Sequence, residues 1–325
     1  MSQHEDIDVV IAWVDGDDPA HRAKRMAWGG GGAVAQNNDV GGEMRYRATG
    51  EIFYCVGSVL RFAPWVRKIW IITDNQNPRL DEFVERNFPD CTTPIEIVDH
   101  RTIFEGYEEN LPTFNSISIE TMMWRIPGLA ERFVYLNDDV FLASPIEPSY
   151  WFEGESTILH AKRVSTLAGR LLRWIKPKKN GHKTFGHKDA MVNAAQRLGA
   201  NHFWHFPHTP QALRRSFYER FFGELPEMLS QNCSHRFRHE SQFSFVSLFF
   251  IKGGLEGLVR VRSAKGSYIF LKPFADKVGY MERKLREADG NPHLLFGCIN
   301  SLGETTREEQ QMFHRWICKR LSIEL

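Results

Sequence analysis

Two adjacent carboxylates, Asp138 and Asp139, follow the apolar run from Phe133 to Leu136, with only Asn137 between. Acids at the end of a buried strand offer hard oxygen ligands, which suit Mg2+ (or Mn2+) and let the cation bridge to a diphosphate. Asp139 is the metal candidate of the pair, and Asp138 is read as a ligand or a base. The competing structural reading is a turn or a helix cap. His202, His205 and His208 recur at three-residue spacing. Pro207 would break a helix that aligned them, and no nearby cysteine or acid completes a tetrahedral set, so zinc is disfavoured. His208 fits a general base better, because an ordinary imidazole pKa of about 6.5 suits taking a proton from a hydroxyl near neutral pH. The run Arg236-Phe-Arg-His-Glu240 adds fixed positive charge. A guanidinium grips two phosphate oxygens at once, and phosphoryl transfer rests on positioning and charge neutralisation. An arginine of this run beside a diphosphate is therefore expected, with a surface ion-pair cluster as the alternative.

Such side chains need a scaffold. In the first half of the chain, short apolar runs alternate with helical patterns. The strand candidates are Asp8–Trp13, Lys68–Thr73, Ile95–Val98 and Arg132–Leu136; the helix candidates are Glu51–Phe62, Leu80–Asn87 and Ser116–Arg125. This alternation predicts an α/β fold, a Rossmann-like, mostly parallel sheet with helices on both faces, followed by a mostly helical C-terminal part. Ligands of such sheets bind beyond the carboxyl ends of the strands. Three of the four strands end in acid- or amide-rich turns: Asp15, Asp17 and Asp18; Asp74 and Asn75; and Asn137, Asp138 and Asp139. One such turn often only reverses the chain; three at one sheet edge mark a site. The glycines from Gly29 to Gly32 have no strand before them and read as a loop over the site rather than a phosphate loop.

A chain of 325 residues, 42% apolar and 25% charged, can bury a core in one large domain or two modest ones. The expected division is a ligand-binding α/β core over residues 1–155, which the family resemblance given below makes a nucleotide-sugar-binding one, a basic insertion over 156–188, and a helical part over 189–325 that completes the site. A formal net charge of +1 implies no whole-molecule attraction to nucleic acid or membrane. The scattered Cys55, Cys91, Cys233, Cys298 and Cys318 form no C-x-x-C pair, which argues against a disulfide framework and for a reducing compartment. The opening MSQHEDID has no apolar signal core, and the run Phe243–Ile251 is shorter than the roughly 20 residues a membrane span needs. A cytoplasmic location, peripheral at the inner face of the membrane, is expected. From Ser156 to Lys188 there is no acid, but there are many lysines and arginines, Lys162, Arg163, Arg170 and Arg173 among them. This is either a solvated surface or a grip for an anionic partner, a phosphate-rich polymer or an anionic bilayer. Leu171, Leu172, Trp174 and Ile175 among those arginines suit a membrane interface. With no recognised motif beside it, nucleic acid is not an expected partner.

Several of these segments, in order along nearly the whole chain, resemble the stealth family of hexose-1-phosphate transferases. That family includes bacterial capsule polymerases and the animal enzyme that tags lysosomal glycoproteins. The segments are Ile7–Pro19; Arg45–Glu51 with Ala63–Pro78; Phe114–Glu120, Ile126–Leu129 and Phe133–Leu142; Pro207–Pro210 with Arg236–Arg238; and Phe296–Asn300. The resemblance implies a glycosyltransferase-A-like sheet, a nucleotide-diphosphate sugar donor, an oligosaccharide acceptor, a magnesium ion and release of a nucleoside monophosphate. It implies that Asp15, Asn115 and Asn300 line the site with Asp138, Asp139, His208 and Arg238. Asn300 would join Asp139 at the metal, and capsule assembly proteins are implied partners.

The chain departs from the family at three places. Phe53 and Gly57 stand where related chains carry arginines after the glutamate, and Ser301 stands where they tend to carry an aspartate. Losing a charged hydrogen bond to a phosphate costs about 1.5–3 kcal/mol; Arg45, Arg47 or the basic insertion could supply the missing charge. The expected reaction is transfer of a sugar-1-phosphate to an acceptor hydroxyl, forming a phosphodiester in a surface polysaccharide. The departures keep open a metal-dependent glycosyltransferase that releases a nucleoside diphosphate. A non-catalytic polysaccharide-binding subunit would need the strand-end acids to be turn formers only.

Overall fold

The computed structural model describes residues 6–29, 50–175, 185–263, 266–272, 278–300 and 302–325. The four apolar runs form strands β1 (Ile7–Ala12), β2 (Lys68–Thr73), β3 (Ile95–Asp99) and β4 (Arg132–Asn137). These pair in parallel in the order β4-β1-β2-β3. The helices Glu51–Phe62, Asp81–Asn87 and Ser116–Met122 connect them, as the periodicity predicts. Parallel neighbours need such crossovers, and each crossover helix buries one face on the sheet.

Strand periodicity sorts the core into two layers. On one face, Ile7, Val9, Ile11, Ile69, Ile71 and Leu136 pack with the helices Glu51–Phe62 and Arg307–Leu321. On the other, Val10, Trp70, Ile72, Phe133 and Tyr135 pack with Ser116–Met122, Arg215–Glu224 and Phe245–Leu255. The late apolar run is thus a buried helix. Asp8 also faces this second layer and is fully buried. It accepts bonds from Arg67 Nε (2.8 Å) and Nη2 (2.6 Å), Trp70 Nε1 (2.8 Å) and the Ala130 amide (2.9 Å), which ties β1 to its neighbours.

The remaining strands are β5 (Val140–Leu142), β6 (Phe152–Glu153), β7 (Ser156–His160), β8 (Lys162–Ser165), β9 (His202–His205), β10 (Gln211–Arg214), β11 (Val259–Arg262), β12 (Tyr268–Leu271) and β13 (Phe296–Ile299). The C-terminal part is mainly helical, yet it also supplies strands to the earlier sheets. β10 adds antiparallel to β4, β11 lies parallel to β7, and β13 joins antiparallel β5 to parallel β12. Gly297 lies opposite Phe141, where a Cβ would come within 2.1 Å of the ring. Only glycine permits this approach, and it brings the end of β13 against Asp139.

Candidate active site at the end of β4

The β4–β5 turn carries Asp138 and Asp139. β13 runs back along β5, so the Ile299 amide donates to the Asp139 carbonyl (2.9 Å) and Cys298 Sγ donates to Asp139 Oδ2 (3.4 Å). Asn300 also hydrogen-bonds the Asp139 carboxylate. Asp139 Oδ1 is buried and has no hydrogen-bond partner. Burial holds the Asp139 carboxyl above the usual range, opposed by its electrostatic attraction to His208 and by the Cys298 and Asn300 bonds. Asp138 is pushed well above the ordinary value by burial, then by repulsion from Asp139 and Glu51. Two carboxylates that resist ionisation in one turn make a place where a cation is wanted.

His208 follows β9 in a turn that leads into β10. Its ring lies 5.8 Å from Phe270 of β12 and 5.2 Å from His187. Burial lowers the His208 pKa, Asp139 opposes this, and Arg238 and Lys272 reinforce it. The balance favours the neutral imidazole, the form a general base needs. His187 is driven down to about 3 by burial and by the neighbouring His208, Arg238 and His205. His202 and His205 lie on β9 rather than on a helix. Among the described residues no three His, Cys, Asp or Glu side chains form a metal cluster.

Arg238 enters from the loop after the helix Pro226–Cys233 and donates to Ser116 Oγ (2.8 Å). Its charge acts on both His208 and Glu120. A buried amide network fixes this loop. Asn115 Nδ2 donates to the His235 carbonyl and to Gln242 Oε1 (both 2.9 Å), while Asn115 Oδ1 caps the following helix at Ile117 N (3.1 Å). Asn115 is 0% exposed, so it reaches the site through the loop it holds. Asp15 lies at the end of β1, beside β4, with its Oδ1 accepting from Asp17 N (2.9 Å) and its backbone joined to Gln76. Arg45, Arg47 and Ser301 lie outside the described residues, as do Gly30 to Gly32.

Sequence reasoning passed over Glu120. Burial raises its pKa to about 7, against the pull of Arg238 and a bond from Tyr135, whose hydroxyl also reaches Asn137 Oδ1 (2.5 Å). The available signal was an acid inside a helix whose neighbours Ile117, Ile119, Thr121 and Met122 are all of the buried kind. Phe53 and Gly57 turn away from the acids. The Phe53 ring meets Phe83 edge-on at 5.2 Å, and a Cβ on Gly57 would sit 3.1 Å from Phe83. Cys55, two residues from each, faces the turn instead, where Asp138 and Asp139 help burial raise its pKa.

A mostly parallel α/β sheet thus carries, at one strand end, an acid pair, an imidazole and a partly buried arginine. Residues 5–33 match the family model for Stealth protein CR1, conserved region 1, and residues 45–159 match that for Stealth protein CR2, conserved region 2. A capsular polysaccharide phosphotransferase of Haemophilus influenzae is 30% identical over 95% of this chain and 81% of its own. The chain belongs to the Stealth family. An exopolysaccharide phosphotransferase of Streptomyces coelicolor is 31% identical over 94% of this chain and 54% of its own. An exopolysaccharide phosphotransferase of Nocardia farcinica is 34% identical over 74% of this chain and 45% of its own. The chain thus spans about half the length of these two relatives. The galactosyltransferase LgtC in complex with donor and acceptor sugar analogues overlaps 98% of this chain and 96% of its own at 11% identity, with a TM-score of 0.48. Among the described residues no helix is long and apolar enough to cross a membrane.

Proposed function

We propose that this chain transfers a sugar-1-phosphate from a nucleotide-diphosphate sugar to an acceptor sugar hydroxyl, forming a phosphodiester of a capsular or cell-surface polysaccharide and releasing a nucleoside monophosphate. The observation that carries the reading is the convergence of Asp138, Asp139, His208, Arg238 and Asn300 on one strand end, with Asp139 Oδ1 buried and unpartnered. The named activity of the Haemophilus and Streptomyces relatives supports it.

His208 Nε2 or Nδ1 takes the proton of the acceptor hydroxyl, whose oxygen then forms a bond to the phosphorus that bears the sugar. The bond from that phosphorus to the nucleotide's bridging oxygen breaks, and the nucleoside monophosphate leaves with the electron pair. Asp139 steadies the imidazolium that forms, and Arg238 offsets charge on the phosphoryl oxygens. Asn115 acts as a positioning residue for the Arg238 loop. Asp15, at the same edge, and Arg45 are assigned to the donor. Asp139, Asn300 and Asp138 fit a hard cation, since Mg2+ is commonly held by one or two carboxylates together with substrate phosphates. Mg2+ (or Mn2+) held there would supply charge neutralisation at the diphosphate. The 1–155 core is assigned to the nucleotide-sugar and the 189–325 part to completing the site.

Incubation with magnesium, UDP-, GDP- and CDP-linked sugars and short capsule oligosaccharides tests this. A nucleoside monophosphate released only with acceptor is the expected product. A nucleoside diphosphate would replace the reading with an ordinary glycosyltransferase. No nucleotide-sugar binding by calorimetry would leave a polysaccharide-binding subunit.

A further inference from the structure

The helix Thr166–Ile175 packs on the helix His187–Arg197 and on β8 and β9 through one narrow face. Gly169 lies at the centre of that face, where a Cβ would come within 2.8 Å of Val192 and 2.9 Å of Phe203. Thr166 is buried there too, with its hydroxyl bonded to the Ala200 carbonyl (2.9 Å). At 3.6 residues per turn, Leu167, Leu171 and Trp174 fall within an arc of about 60° on the opposite side. They are 73%, 58% and 74% exposed. The tight glycine contact fixes the helix in this roll, so the ridge faces outward by construction.

The surroundings of the ridge are basic. Arg170 is exposed on the helix itself, and Lys162, Arg163 and Lys188 are exposed on the strand and helix that it packs against. The first acid after the stretch, Asp189, is buried and turned back to cap its own helix at Gly186 N (2.9 Å). Two large aliphatic side chains and an indole bordered by cations complement an anionic lipid surface: the ridge enters the headgroup–acyl boundary while the cations meet phosphates. A polyanion in solution would use the cations and leave the ridge wet. A second copy docked on this face would bring its own cations against these. The side chains of Leu172, Arg173 and Ile175 lie outside the described residues.

We propose that the helix Thr166–Ile175, through the Leu167–Leu171–Trp174 ridge and the cations beside it, docks this chain reversibly on an anionic phospholipid bilayer. This does not depend on the reaction assigned above. The test is co-sedimentation of the full chain with phosphatidylcholine vesicles that contain about 30% phosphatidylglycerol, and with vesicles of phosphatidylcholine alone. Partition into anionic vesicles is expected at low salt, with little into neutral ones. Leu171→Glu and Trp174→Glu should each weaken partition by about tenfold or more, and Arg170→Glu should weaken it and flatten its salt dependence. Both ridge positions are exposed, so unchanged thermal unfolding of these variants is expected. Wild-type protein that stays in the supernatant with anionic vesicles overturns the proposal. So do ridge variants that partition as wild type while soluble polyphosphate competes, which would make the face a polyanion grip. A concentration-dependent dimer in sedimentation that Leu171→Glu abolishes would make it a self-interface and overturn the proposal too.

Discussion

Neutralising Asp138 should stabilise the protein in the absence of divalent metal while removing activity. Asp138 and Asp139 sit in one turn with Glu51 nearby, and burial and mutual repulsion raise the Asp138 carboxyl well above its ordinary value. Two like charges roughly 6 to 8 Å apart at an effective dielectric of about 20 repel by about 2 to 3 kcal/mol. Asp138 keeps partial exposure, and solvent screening brings the expected gain for Asp138→Asn to about 1–2 kcal/mol. For a chain of this size that is a rise in Tm of about 1.5 to 3 °C. A carboxyl whose folded-state pKa lies above its unfolded value costs stability as pH rises from the unfolded value through the folded one. The gain from Asp138→Asn should therefore be small near pH 4 and largest at alkaline pH. Thermal unfolding in chelator across this pH range reads it directly. Magnesium should stabilise the wild type more than the variant. If Asp138→Asn is destabilising at alkaline pH in chelator, the acids are held by favourable local bonds, and the argument that the turn awaits a cation fails.

Other substitutions probe the rest of the site and its frame. His208→Ala should lower kcat by about 100-fold or more with the fold intact by circular dichroism. In the wild type, activity should fall as His208 takes up a proton. Because its pKa is lowered, the acid limb of kcat/KM should lie below the ordinary histidine value. Glu120 titrates at about 7, so Glu120→Gln should remove any inflection near neutral pH from the same profile. Gly57→Arg adds a charge, but the side chain must displace Phe83, so a loss of about 1–3 kcal/mol in urea unfolding is expected without a gain in turnover. Asp8→Ala removes the buried acceptor of Trp70 Nε1 and the Ala130 amide and leaves Arg67 only the Gly128 carbonyl and the more distant Asp6, so a loss of about 2–4 kcal/mol in urea unfolding is expected.

The sequence alone determined the elements and their order. β1 to β4 are runs whose alternation or continuous apolarity is a local property, and the crossover helices announce themselves by 3.6-residue periodicity and by the proline after Arg125. It also determined that the acids at Asp15, Asp74 and Asp138 share one edge, because parallel strands linked by right-handed crossovers put their carboxyl ends together. The motif with Asn115 was legible as a motif, but not what its side chain does. Only folding shows it buried under the Arg238 loop, with its amide hydrogens donated inside the protein. Glu120 and His187 were not singled out because their perturbation comes from burial by distant segments, which no local pattern records. The tertiary structure alone decided that Cys298 and Asn300 meet Asp139 from some 159 residues away, since an antiparallel partner for β5 is chosen by shape, here by the space over Gly297. It likewise decided which way the Thr166–Ile175 helix rolls: composition gave an apolar, basic segment, but the contact of Gly169 with Val192 and Phe203 sets which side faces water.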